Sequence, residues 1–304
     1  MSEEIKGTLQ EIAVHLAKKQ PHQVENLTEE APILKQISFE PASHGMWNAY
    51  EEVSGIQGVG FVDMDSPLQE VDIQSKLKKV DLDILGGEMF VGEDKAAQFG
   101  GAAAYFARKT PTLLKDAGQV AERNLIYNNV IPYAVKNEKA VSAGGTSNCY
   151  SMVAVRPVSG EVCGLYNPKG FTSGTLLDVK PINNGALYKN SKGILGYGLR
   201  LKSYFGYQLA NTKAVGAIVN ITADKLPTAK QINDMLLDAR ADSKTKIWCH
   251  PRLLRMLSEK YKVDIMHTAV GDQNLNRMIT AWNGVPFIES FNFEDGTEKA
   301  VTIS

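Results

Sequence analysis

The chain has almost no cysteine: three residues in 304, Cys149, Cys163 and Cys249, with no CxxC pair and one left over if two were to bridge. That excludes a disulfide framework and points to a reducing compartment. An excess of charge is lacking too, since 33 basic residues face 34 acidic ones for a net charge of -1. No general attraction to nucleic acid or to an anionic membrane is therefore built in. No apolar run approaches the roughly 18 residues of a membrane span. The N-terminus, "MSEEIKGTLQEIAVHL", carries acids where a secretory signal carries bases. Internal repeats and low-complexity segments are absent. What remains is an ordinary globular composition, 43% hydrophobic and 22% charged, long enough for one large domain or two smaller ones. A soluble protein made in a cytosol is expected.

Local patterns divide the chain. Thr8 and Glu11 have capping-box spacing, and Leu9, Ile12, Ala13 and Leu16 form an apolar stripe that Pro21 closes. Residues 1–43, continuing through "NLTEEAPIL", are expected to be an arm of short helices seeking another surface, since so short a stripe buries little by itself. From His44 to Asp94 the period becomes two. "WNAYEEVSGIQGVGFVDMD" and "VDIQSKLKKVDLDIL" read as one long antiparallel ribbon. Its apolar phase passes from Val71, Ile73 and Leu77 to Val80, Leu82 and Ile84. A β-bulge at Lys78-Lys79 would swap the faces in this way. A two-stranded ribbon is marginal alone in water, so it is expected to lie against something else, such as a neighbouring subunit.

Between Lys95 and Asn129 the chain reads as helical, first in "KAAQFGGAAAYFARK" and then from Thr110, an N-cap with Pro111 at the first helical position, which opens a helix that runs to about Asn128. Leu113, Leu114, Ala117, Ala121, Leu125 and Ile126 share one face of it. From Ser142 to Ile221 strands and glycine turns dominate. Thr228 with Gln231 then caps a helix bearing Ile232, Met235, Leu236 and Ala239. "IWC" is a short strand, "PRLLRMLSEKY" a helix, and Asn283-Gly284 the turn of a closing hairpin.

The chemistry candidates fail on spacing. "YNPKG", with Lys169 between Pro168 and Gly170, lacks the GxxxxGK[ST] frame of a phosphate loop. The glycines at 193, 196 and 198 precede strand-like residues, whereas a dinucleotide fingerprint opens a helix. Cys249 and His250 are adjacent, but successive strand residues point to opposite faces. His15, His22, His44 and His267 are scattered without metal spacing. Asp63 with Asp65, and Asp81 with Asp83, read as solvated strand faces. Lys76, Lys78 and Lys79 form one local basic cluster of the kind edge strands carry against stray pairing. No catalytic, metal-ligating or cofactor-binding residue is assigned, and no cofactor is expected.

The order of elements, together with "SAGGTSNCYSMVAV", "GLYNPKGFTSG", "GYQLANTKAVGAIVNI", "LPTAKQINDMLLDARADSKTKIWCHPRLLRMLSEKY" and "WNGVPFIESFNF", resembles the major capsid proteins of tailed bacteriophages with the Hong Kong 97-like fold. The likeness is collinear over roughly residues 8 to 295. It implies an α+β fold with an N-arm (1–43), an extended β-hairpin E-loop (44–92), a P-domain with a long spine helix (93–141), a mixed α/β A-domain with P-domain strands (142–280) and closing strands (281–304). It makes "YNPKG" a turn in a shell subunit. The implied function is structural: a homo-oligomer of hexamers and pentamers forms an icosahedral virion shell around phage genomic DNA, without sequence-specific binding or a membrane, after synthesis in the bacterial host cytoplasm. The expected partners are a portal and a scaffold. That scaffold should be a separate protein, because no scaffolding segment precedes the arm; a decoration protein is left open. Some relatives crosslink a ribbon lysine to an asparagine; Lys76, Lys78 and Lys79 are chemically available, but nothing in the sequence identifies the asparagine or an assisting carboxylate, and no crosslink is assigned. An encapsulin-like cellular nanocompartment and an α/β enzyme using Cys249 or Cys163 are the alternatives.

Overall fold

The computed structural model describes residues 31–64, 66–168, 178–261 and 280–303. The expectations for Thr8 and Glu11, His15, His22, His267, Asp65, Lys169 and Gly170 lie outside these residues. The architecture is α+β. One mixed sheet runs, in spatial order, β13 (Ala281–Trp282), β14 (Val285–Glu289), β12 (Lys246–Cys249), β6 (Tyr150–Val155), β11 (Val215–Ile221) and β5 (Ala140–Ser142). All residues of β6 and β11 are buried because helices cover both faces. Alternation sorts them: Val153, Val155, Val215, Ala217 and Val219 face one core, and Met152, Ala154, Ile218 and Ile221 face another. The second core holds α4 (Ala229–Asp238) and α5 (Pro251–Lys260). The capping box of Thr228 and Gln231 is present. At Gly216 an added Cβ would lie 2.4 Å from the Met235 carbonyl oxygen, so α4 sits directly on the strand. The closing hairpin joins β13 to β14 through Asn283 and Gly284, both at positive φ as a type I′ turn requires.

The second sheet runs β1 (Phe39–Pro41), β7 (Val162–Tyr166), β10 (Leu195–Leu209) and β4 (Asp83–Gly92), with β10 antiparallel to β4 and β7 and also to the short β8 (Asp178–Pro181) and β9 (Tyr188–Lys189). From β4 the short α1 (Glu93–Gln98) leads into α2 (Ala102–Asn124), which lies across this sheet. One π turn, Leu125–Val130, and then α3 (Ile131–Lys136) continue α2. The expected start at Thr110 is therefore wrong. Ala102 and Phe106 pack against Val91, Leu199 and Leu201, and that burial carries the helix upstream through Pro111. Thr110 is interior, and its hydroxyl donates to the Phe106 carbonyl at 2.7 Å. Leu114, Ala117, Ala121, Leu125 and Ile126 are buried, as their spacing predicts. The π turn accommodates Pro132, whose ring would meet the Asn128 carbonyl in an unbroken α-helix. Within this turn the Asn129 side-chain amide donates to the Asn124 carbonyl at 3.0 Å.

Three further expectations need correction. Residues 31–41 are no free arm: Ala31, Ile33, Leu34 and Ile37 are buried against the helix, and β1 pairs in parallel with β7. The ribbon consists of β2 (Trp47–Gln57) and β3 (Asp72–Asp81) only, because β4 has joined the sheet. Its register shift lies in β2 between Val53 and Gly55, and Lys78 and Lys79 sit in unbroken pairing.

Candidate assembly surfaces

The sequence-level chemistry candidates are dispersed. All three thiols are buried. Burial pushes Cys249 well above the ordinary thiol range and Cys163 up to about 11, and Cys149 is raised by the same cause. Cys249 ends β12, whereas His250 caps α5, its Nδ1 accepting from the Arg252 amide at 3.1 Å. The imidazole is thus held as a cap, with its pKa lowered by burial. Among the described residues no cluster of His, Cys, Asp or Glu could hold a metal ion. Nor is any described helix long and apolar enough to cross a membrane. Tyr166 ends β7, and Asn167 and Pro168 follow it. The ribbon lysines pair locally, Lys78 with Glu52 at 2.5 Å and Lys79 with Asp81 at 2.6 Å, while Lys76 stands opposite Glu52 in the register. Asp63 and Asp83 are exposed. His44 stacks on Trp47 at the ribbon base, with the ring centroids 3.7 Å apart.

The ribbon is a surface in its own right. Directly opposed residues share a face, so Val53 stands with Ser75 and, along β3, with Leu77. The bulge then brings Ile56, opposite Ile73, onto the same side. Val53, Ile56, Ile73 and Leu77 consequently lie on one face, around the hydrogen-bonded pair Ser75 and Glu51, and each of the four is more than half exposed. The other face turns toward the body at its base. There Asn48 Nδ2 donates to Gln208 Oε1 at 2.6 Å, and Val80 packs beside buried Leu82. On α3, burial together with the nearby Tyr50 and Glu52 pushes the Tyr133 phenol up to about 12. The change of apolar phase near Lys79 thus records a change of surface: the base faces its own subunit, while the outer part presents its apolar side outward. At the tip Phe61 and Met64 are fully exposed, and Val59 and Leu68 nearly so. Monomeric proteins rarely expose large apolar patches, so a group of exposed apolar side chains of this kind marks a candidate contact surface.

Two buried carboxylates, unforeseen in the sequence, pin the body. Glu122 is fully buried on α2. Its Oε2 accepts from the amides of Ile33 (2.9 Å) and Leu34 (3.3 Å), and its Oε1 from Asn292 Nδ2 (3.0 Å) and the Ser290 hydroxyl. One side chain thereby ties the base of the arm to the segment after β14. Burial raises its pKa against those hydrogen bonds. The only sequence signal was an acid within the buried arc of a helix. Glu298 accepts from the Tyr127 hydroxyl at 2.7 Å and from the Ser151 hydroxyl, and burial raises it to about 7. Beside it lies a cleft of about 740 Å³ between the end of the long helix and residues 294–301, floored by Ile131, Pro132, Val135 and Val301.

No family model and no curated protein sequence matches the chain. Solved structures do. A chain from the structure of bacteriophage Epsilon15 superposes with a TM-score of 0.58 at 17% identity, covering 87% of this chain and 88% of that one. The bacteriophage JBD30 capsid gives 0.54 at 9% identity over 85% and 89%. An encapsulin complex from Synechococcus elongatus gives 0.45 at 11% over 63% and 87%, too weak to carry an argument. The fold of this chain is that of the two phage structures, the Hong Kong 97-like α+β fold.

Proposed function

We propose that the chain is the major capsid protein of a tailed bacteriophage, a subunit whose work is self-assembly into a closed shell around genomic DNA. The observation that carries this reading is the ribbon, whose outer apolar residues are left exposed by the described residues of their own chain and which belongs to a chain with the fold of phage shell chains. A neighbouring copy is the natural cover for it. In this reading residues 1–43 are the N-arm, 44–92 the E-loop with β2 and β3 as its projecting part, 93–141 the P-domain with its spine helix, 142–280 mainly the A-domain, and 281–304 the closing strands. Such a contact is heterologous, one surface of each copy meeting a different surface of the next, and closes into rings of five and six. A net charge of -1 suits dense packing, because strong self-repulsion would oppose it. A portal is a further partner in this scheme, and the work is done by interfaces, with no catalytic step.

The test is to express the chain alone and with a candidate scaffold, and to examine it by sedimentation and negative-stain electron microscopy. Closed particles of uniform size are expected, and a monomer under both conditions would refute the proposal. Particles formed in the phage host should contain duplex DNA. A protein cargo without DNA would favour the encapsulin-like alternative.

A further inference from the structure

We propose that Asn184 is a site of spontaneous deamidation, at which the folded chain converts a side-chain amide to a carboxylate. The sequence holds two Asn-Gly pairs, Asn184-Gly185 and Asn283-Gly284. Glycine has no Cβ to shield its backbone nitrogen, so in this dipeptide the nitrogen approaches the preceding side chain with least hindrance. The Gly185 nitrogen gives up its proton and bonds to Cγ of Asn184, closing a five-membered imide. The Cγ–Nδ2 bond breaks, and ammonia leaves carrying a proton. Water then opens the ring at one of its two carbonyls. One opening leaves aspartate; the other leaves isoaspartate, whose main chain runs through the former side-chain carbonyl. Overall one water is consumed and one ammonia released, with no oxidant or reductant.

The fold treats the two pairs differently. Both asparagines have positive φ, 53° at Asn184 and 48° at Asn283, and each is followed by a glycine at 82°. At its ψ of 25° Asn184 turns the Gly185 nitrogen away from its own side chain, so the turn must open before the ring can close. What restrains each turn therefore sets the rate. Asn283 is clamped: its Nδ2 donates to Asn233 Oδ1 at 2.9 Å, the neighbouring Trp282 Nε1 donates to the same oxygen at 2.8 Å, and β13 pairs with β14 on either side. Asn184 is exposed, and among the described residues nothing hydrogen-bonds to its side chain. Its turn, Ile182–Gly185 between β8 and β9, is closed by the Ala186 amide donating to the Asn183 carbonyl at 3.0 Å and by a long contact of 3.5 Å from Asn183 Nδ2 to the Leu187 carbonyl.

The product changes this corner of the molecule. The new carboxylate takes the net charge of the chain from -1 to -2, in a hairpin that carries exposed Lys180, Lys189 and Lys192. Isoaspartate also adds a carbon to the main chain in a turn whose flanking Ile182 and Tyr188 pack onto Gly198 of β10. A subunit is thereby marked by its age, whether or not it has joined a shell.

The test incubates the full unassembled chain at pH 8 and follows both sites by peptide mass spectrometry, with isoaspartate read by enzymatic methylation. In the folded chain Asn184 should convert at least ten times faster than Asn283. In denaturing urea the two rates should converge, because only the fold distinguishes them. Asn184→Gln should abolish the acidic species that otherwise grows on isoelectric focusing of the intact chain. Conversion of Asn184 no faster than that of Asn283 in the folded chain would overturn the proposal. So would an Asn184 left intact over a time in which the unfolded chain converts fully, or an acidic species that persists in Asn184→Gln. None of these outcomes bears on the shell reading.

Discussion

Replacing Glu122 by alanine would strip four buried donors of their acceptor: the amides of Ile33 and Leu34, the Ser290 hydroxyl and the Asn292 amide. An unpaired buried donor costs about 1–3 kcal/mol, which gives roughly 4 kcal/mol even at the low end of that range. Removing the carboxylate also relieves the burial that raises its pKa, and this offsets part of the loss. A net destabilisation of about 3 kcal/mol is expected, a large fraction of the 5–15 kcal/mol typical of a folded domain. Glu122→Gln keeps the shape and one acceptor oxygen but turns an amide toward two donors, so about half the effect should remain. Urea unfolding of unassembled subunits, followed by circular dichroism, measures the loss. Limited proteolysis locates it, and cleavage should appear first within residues 31–37, whose amides have lost their anchor. The double variant with Ser290→Ala should be less destabilised than the sum of the single changes, because both act on one hydrogen-bond network. A Glu122→Ala subunit within about 1 kcal/mol of the parent, with residues 31–37 still protected, would refute the reasoning.

Leu125→Asp places a charge without a partner at a fully packed position, and loss of soluble folded protein is expected; normal yield and an unchanged spectrum would show that face to be solvated. Glu298, raised by burial to about 7 from an unfolded value of 4.5, contributes stability below about pH 4.5 that is lost as pH rises through 7. The unmodified chain should therefore unfold at lower urea at pH 8 than at pH 5. In Glu298→Gln the slope should shrink to what Glu122, also raised by burial, contributes, and an unchanged slope would remove Glu298 as a source. The buried thiols of Cys149, Cys163 and Cys249 should react with an aromatic disulfide reagent only on unfolding, and rapid labelling of the native chain would contradict their placement.

What could be read from the residues were features set by neighbours in the chain. The Thr228 capping box, the Asn283-Gly284 turn and the apolar runs of β6 and β11 each carry their own signal within a few positions, and the structure contains all of them. What could not be read depended on surfaces brought together from afar. Pro111 reads as a helix start until Ala102 and Phe106 find β4 and β10, whose packing outweighs the missing hydrogen bond. The phase change in β3 resembles a bulge until the ribbon base is seen to rest on its own subunit while the outer part does not. Glu122 gains its meaning only from donors 89 and 170 residues away. The cleft is formed by the chain ends of two distant segments, and no local pattern marks it.

The central claim is that the apolar face of the ribbon is covered by a neighbouring copy, and amide hydrogen exchange over residues 47–81 in free subunits and in assembled particles tests it most directly. In free subunits the ribbon should exchange far faster than β6 and β11, because two strands with an exposed apolar face open easily. In particles the same amides should slow at least a hundredfold, Ile56 and Ile73 among them. Equal protection of the ribbon in both states, or protection in the free subunit matching that of the core strands, would contradict the account.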